Sequence, residues 1–264
     1  MKAVFVHGGP GLNSNPEDQI LSNDFLNNNF DIMYWNEPKV FSSQDYYNEV
    51  LDSLVRFINS IDDNSILLIG HSFGCNLILN VMPLIKDKIN SICFLSPVLD
   101  INEADTNIIK YGLKLLKSSN AESAVKLETM IPNLTKRFDE TKIQALLLAM
   151  SSDLFHHYFS DDKSFYTYFN YLQDENEFRI EDYIKIKQSI PISITDLNEI
   201  FSIPLLIIFG QKDPVCNPIY EEKVIRKYFS NITLYTLENI SHYPHIDATD
   251  FFFEALKTHI KTIS

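Results

Sequence analysis

Cationic charge is scarce in this sequence of 264 residues: 22 Lys and Arg stand against 35 Asp and Glu, a formal charge of −13. Such a balance repels phosphate backbones and anionic lipid headgroups, which argues against nucleic acid or an acidic membrane as partner. Cysteine is sparse as well. The three thiols, Cys75, Cys93 and Cys216, are odd in number and lack metal-ligand spacing, and their flanks read as core positions suited to a reducing cytoplasm. No apolar run approaches the roughly 20 residues that cross a bilayer. The stretch Ala3 to Val6 is cut at once by His7-Gly8-Gly9-Pro10, too early for a secretory leader with a core of about 7 to 15 residues. Internal repeats and low-complexity linkers are missing too, apart from a small Asn cluster at 27 to 29.

What is present suits a packed enzyme-sized domain: 45% hydrophobic and 12% aromatic residues support a sizeable core. The length fits one α/β domain, with or without an insertion. Val4 to Val6, Asp31 to Trp35, Ser65 to Ile69, Ser91 to Leu95, Leu205 to Phe209 and Ile232 to Leu237 read as six strands, several of them continuously apolar. Tyr46 to Ile61 carries apolar residues at Val50, Leu51, Leu54, Val55 and Ile58, the spacing of an amphipathic helix. Strands alternating with helices predict a mostly parallel sheet covered on both faces. The alternation stops between Asp100 and Ile200, where Ile108 to Leu116, Lys142 to Met150 and Asp153 to Leu172 read as helices rich in charge, Phe and Tyr. Strands resume afterwards, so this stretch reads as an insertion lying over the sheet.

The strongest motif is Ile66-Leu67-Leu68-Ile69-Gly70-His71-Ser72-Phe73-Gly74, a buried strand running through G-x-S-x-G into a helix that starts around Cys75. A turn this sharp holds the serine in a strained conformation at the strand end, and Gly on both flanks avoids collision with neighbouring elements. Ser72 is therefore the candidate nucleophile. His7-Gly8-Gly9-Pro10-Gly11 follows the first strand, where a curled backbone can aim an N–H into the same crevice. Acyl transfer needs two donors for its oxyanion, and the N–H groups of Gly9 and Phe73 are the candidates. Neither G-x-G-x-x-G nor a Walker lysine is present, so a phosphate cradle is not the reading.

A serine hydroxyl needs a base, and the base needs a third group to fix its tautomer. Asp213 follows the strand Leu205 to Phe209, and His242 and His245 follow Ile232 to Leu237. All lie beyond carboxyl ends of strands, the edge where open α/β sheets bind ligands. Asp100, after the strand Ser91 to Leu95, is a second candidate for the acid. His242, His245 and Asp247 could suggest a metal, but Pro244 disfavours a helix presenting them together, and no metal or cofactor is expected.

With these motifs in this order the chain resembles an α/β-hydrolase, and its HGGPG is similar to that of the proline iminopeptidase branch. The resemblance covers residues 3 to 100 and 200 to 264. It implies an α/β-hydrolase core over 1–100 and 200–264, a helical cap over 101–199, and a six-stranded sheet lacking the family's first two strands. It also favours His242, two residues before Pro244, as the base, with Asp213 orienting it. Where iminopeptidases carry Asp-Gln-Arg-Gly, this chain reads Tyr34-Trp35-Asn36-Glu37-Pro38. The expected activity is cleavage of an ester, thioester or small amide with an apolar acyl or alkyl group, through an acyl-enzyme. Three alternatives stay open: an aminopeptidase binding a substrate ammonium through cap acids such as Asp153, Asp161, Asp162, Glu175 or Glu177, a lyase or acyl-transferase using the same triad, and a ligand receptor on a hydrolase scaffold. The aromatic run Phe155, Phe159, Phe165, Tyr166, Phe169 and Tyr171 supplies either the cap's own core or a pocket lining.

Overall fold

The computed structural model describes residues 1–173, 180–191, 197 and 199–262. Six strands, β1 (Lys2–Val6), β2 (Asp31–Trp35), β3 (Ile66–His71), β4 (Ile89–Leu95), β5 (Leu205–Gly210) and β6 (Ile232–Leu237), form one sheet in the order β2-β1-β3-β4-β5-β6. Every pairing is parallel. The register brings Val6 beside Gly70, His71 beside Leu95, and Gly210 beside Leu237. The loops after β1, β3, β5 and β6 therefore emerge along one edge.

Both faces are covered, which explains the unbroken apolar runs of the inner strands. One face joins Val4, Val6, Leu68 and Ile207 to α2 (Tyr46–Ser60), α3 (Phe73–Ile85) and α9 (Pro218–Ile225) through Leu54, Ile78 and Ile225. The other joins Phe5, Ile69, Cys93 and Ile208 to α1 (Asn15–Asn27) and, beyond the single turn α10 (Pro244–Asp247), to α11 (Thr249–Lys261) through Leu21, Phe25, Phe252 and Leu256. Each such side chain fully buried contributes roughly 1.5 to 3 kcal/mol.

Among the described residues between β4 and β5 lie five α-helices: α4 (Ile101–Ser119), α5 (Ala121–Met130), α6 (Glu140–Met150), α7 (Asp162–Gln173) and α8 (Ile180–Ser189). The insertion divides in two. Helices α4, α5 and α6 close around their own small core of Ile109, Leu116, Leu127, Leu146 and Ala149. Tyr158, Phe159, Phe165, Tyr168 and Ile186 instead belong to the core of the sheet.

The helix expected over Asp153 to Leu172 is broken. Asp153 takes a left-handed φ of 63°, Leu154–Tyr158 form a 3-10 turn, and α7 starts only at Asp162. The cause is tertiary: Ser160 donates from its backbone N–H and its hydroxyl to Asp247 Oδ2 at 2.9 and 2.6 Å, and accepts from the Ser241 N–H at 3.0 Å. These ties hold the chain against the β6 loop, off a helical path. Helix α3 also starts two residues earlier than expected, at Phe73.

Candidate active site

Ser72 joins β3 to α3 with φ 51° and ψ −119°, a left-handed conformation that a side-chain-bearing residue adopts only under constraint. The constraint is visible in its bonds. Its N–H donates to Leu95 O at 3.0 Å, and its carbonyl accepts from Cys75 and Val98, both at 3.1 Å. Gly74 makes the turn possible, since a Cβ there would stand 2.3 Å from Val6 O and 2.6 Å from His7 O. The start of α3 thus presses against the end of β1, bringing the loop His7 to Gly11 over the serine. A Cβ on Gly8 would lie 3.2 Å from Ser72 Cβ.

The structure brings Ser72, His242 and Asp213 together. Ser72 Oγ lies 2.9 Å from His242 Nε2, and His242 Nδ1 lies 2.7 Å from Asp213 Oδ2. Because a carboxylate only accepts, Nδ1 carries the proton toward Asp213, leaving the Nε2 lone pair for the serine hydroxyl. Asp213 is itself held: Oδ1 accepts the N–H groups of Val215 and Cys216 at 2.7 and 2.9 Å. His242 is fixed from its backbone as well, its N–H donating to Tyr158 O at 2.9 Å and its carbonyl accepting from His71 Nε2 at 2.9 Å. Burial, reinforced by the neighbouring His245 and His242, pushes the His71 pKa well below its ordinary value, so this ring is neutral.

Gly9 and Ser72 line the same cavity, and Phe73 is the first residue of α3, where a helix N–H has no intrahelical acceptor. Neither the Gly9 nor the Phe73 N–H donates to a backbone carbonyl among the described residues.

The remaining candidates fall elsewhere. Asp100 caps α4, accepting from the N–H groups of Asn102 and Glu103, and its Oδ2 accepts from the Tyr220 hydroxyl at 2.6 Å. His245 is fully buried 3.8 Å from Glu17, and Asp247 holds Ser160, so the trio His242, His245 and Asp247 is not assembled. Glu17, His71 and His245 are the one group of metal-ligand type among the described residues, with donor atoms within 4.8 Å of one another. His7 stacks on Trp35, and His259 packs against Ser91 Oγ at 2.9 Å.

The cavity over Ser72, about 200 Å³, is walled mainly by apolar groups, among them Ile108, Met150, Phe155, Phe169, Leu172 and Val215. The aromatic run of the insertion is thus shared out. Phe155 and Phe169 face the cavity, Phe159 and Phe165 are core, and Tyr166 is exposed. Of the cap acids, Asp153 binds His156, Asp161 accepts from Ser164 N–H, and Asp162 opens α7; none lines the cavity. Glu175 and Glu177 lie outside the described residues.

Sequence reasoning missed the carboxylate that does line it. Asp105, on α4, is buried against the Lys187 ammonium of α8, which also bonds the Tyr183 hydroxyl at 3.2 Å. Burial is the largest influence and works against the Lys187 charge, but Asp105 and the Tyr183 hydroxyl together outweigh it and hold the pKa above its ordinary value. Glu37 is a second missed group. It accepts the Gly11 N–H at 2.9 Å, and burial raises its carboxyl to about 8. Nothing local in the sequence marks either.

Among the described residues no helix is long and apolar enough to cross a membrane. No curated protein sequence matches the chain. Solved structures do. A proline iminopeptidase-related protein from Thermus thermophilus matches with a TM-score of 0.72 at 17% identity, over 99% of this chain and 89% of that one. A Bacillus megaterium epoxide hydrolase gives 0.64 at 14% identity, over 98% and 93%. An esterase from Exiguobacterium antarcticum gives 0.63 at 15%, over 99% and 92%. Each likeness is one of fold. The model of the alpha/beta hydrolase fold family matches residues 4–249, and with the parallel sheet and helical insertion this identifies the chain as a member of that family.

Proposed function

We propose that this chain is a serine hydrolase that cleaves an ester, thioester or small amide through an acyl-enzyme. The observation that carries the reading is the chain of contacts Ser72 Oγ to His242 Nε2 at 2.9 Å and His242 Nδ1 to Asp213 Oδ2 at 2.7 Å, at the mouth of an apolar cavity.

In this reading His242 Nε2 takes the Ser72 proton as Oγ attacks the substrate carbonyl, and Asp213 stabilises the imidazolium. The N–H groups of Gly9 and Phe73 receive the oxyanion, each worth about 10²- to 10³-fold. Collapse breaks the bond to the leaving group, which takes the proton from His242. Water then attacks the acyl-enzyme by the same steps, returning the proton to Ser72 and releasing the acid. Residues 101–199 act as the cap, and the apolar cavity wall favours an apolar acyl or alkyl group. No cofactor enters these steps. The three free, buried cysteines suit a cytoplasmic location.

The aminopeptidase alternative needs a carboxylate free to bind a substrate ammonium. Asp105, the carboxylate in the cavity wall, is already neutralised by Lys187, which weighs against that alternative. The assembled Ser72, His242 and Asp213 weigh against a silent receptor. The test is a hydrolysis screen of p-nitrophenyl esters of increasing chain length against aminoacyl p-nitroanilides. Ester turnover that rises with chain length supports the proposal with an apolar acyl group, and turnover confined to the aminoacyl anilides decides for the aminopeptidase. Failure to turn over either series overturns the hydrolase reading.

A further inference from the structure

A second and larger cavity, about 490 Å³, lies beside the one over Ser72. The two share Ile101, Asp105 and Lys187 in their walls, so the buried ion pair of α4 and α8 stands between an apolar inner chamber and a more polar outer one. We infer that the outer chamber is a binding subsite for an anionic group, carboxylate or phosphate, carried by the substrate at the far end of its apolar portion. This deepens the serine-hydrolase reading above and rests on it for the position of the reacting carbonyl.

The unpartnered donors of the outer chamber support this assignment. Its three carboxylates are all engaged. Asp100 caps α4 and binds Tyr220, Asp105 binds Lys187, and Asp139 caps α6 through the Lys142 N–H at 3.0 Å while accepting from Thr135 Oγ1 at 3.1 Å. The cations differ. Lys187 is committed to Asp105, but the side chains of Lys136 and Arg137 have no partner among the described residues. Both line the outer chamber. Lys187 cancels Asp105, and Lys136 and Arg137 balance the charges of Asp100 and Asp139. Both oxygens of each of those two carboxylates are taken by N–H and hydroxyl donors, so the groups left to meet the far end of a bound substrate are two neighbouring cationic donors. An Arg presents a fork that matches carboxylate or phosphate geometry. The inner chamber offers no such group, because its ammonium is already neutralised.

The anion can sit on the acyl chain or on the leaving group, and two substrate pairs distinguish these. The first compares mono-p-nitrophenyl adipate with p-nitrophenyl hexanoate. The second compares the hexanoyl thioester of 3-mercaptopropionate with that of its methyl ester. In one of the pairs the anionic member should be favoured roughly tenfold in kcat/KM, chiefly through KM, as expected for charge-assisted contacts at a partly exposed site. The double variant Lys136→Ala/Arg137→Ala should erase that preference and leave the neutral member within about twofold. Independently of turnover, adipate should raise the Tm of the wild type and not of the double variant. Fluorophosphonate labelling of Ser72 is read on the same samples, so failure of the serine-hydrolase reading is told apart from failure of the subsite. The subsite is overturned if neither pair prefers its anion, or if the preference and the adipate shift survive in the double variant.

Discussion

His71 Nε2 donates to the backbone carbonyl of His242 at 2.9 Å, so the residue before the candidate nucleophile anchors the residue proposed as its base. Replacing it with Leu removes the donor and leaves a buried carbonyl unsatisfied, which costs about 1 to 3 kcal/mol. With its backbone anchor gone, His242 should sample positions away from Ser72. We expect His71→Leu to lower kcat about tenfold, measured on the best ester, and to lower the urea midpoint.

The loops that carry Asp213 and His242 meet at Gly210, where a Cβ would stand 1.9 Å from Ser241 O. That obstacle is backbone and cannot rotate away. Gly210→Ala should therefore destabilise the fold by about 3 kcal/mol or more and separate the two side chains. Chemical unfolding and residual ester turnover read the two effects separately.

Asp213 and Asp100 were rival acids, and their bonds differ. Asp213→Asn presents the wrong group to His242 Nδ1, with an expected loss of about 10⁴-fold in kcat. Asp100→Asn keeps a capping oxygen on α4, so less than a tenfold change is expected. Steady-state kinetics of the two variants decides, and equal losses would refute the assignment.

Burial raises Glu37 and Glu221 from 4.5 to about 8. Between those pH values the folded chain keeps protons that the unfolded chain has released, so the stability these groups contribute is complete below about 4.5 and is lost as pH rises through about 8. Glu221→Gln preserves an acceptor for the Leu99 N–H while removing the titration. Its Tm should fall less than that of the wild type between pH 5 and pH 9.

Much of this was legible because it is local. The strands Asp31–Trp35 and Ile232–Leu237 coincide with their apolar runs, and Ser72, Asp213 and His242 each follow a strand whose carboxyl end the parallel sheet brings to one edge. What was not legible depends on partners distant in sequence. Asp105 and Lys187 are 82 residues apart, and the break before α7 depends on Asp247, 87 residues beyond Ser160. Helix α1 has a weak sequence signal because its buried face mixes Leu21 and Phe25 with Pro16 and the charged Glu17.

The most direct measurement compares wild type and Ser72→Ala for fluorophosphonate labelling and for turnover on the best ester. We expect stoichiometric labelling of Ser72 in the wild type, none at that position in the variant, and a fall in kcat of roughly 10⁶-fold with unfolding unchanged. A variant that keeps an appreciable fraction of kcat, or a wild type whose Ser72 stays unlabelled, would contradict the proposed nucleophile.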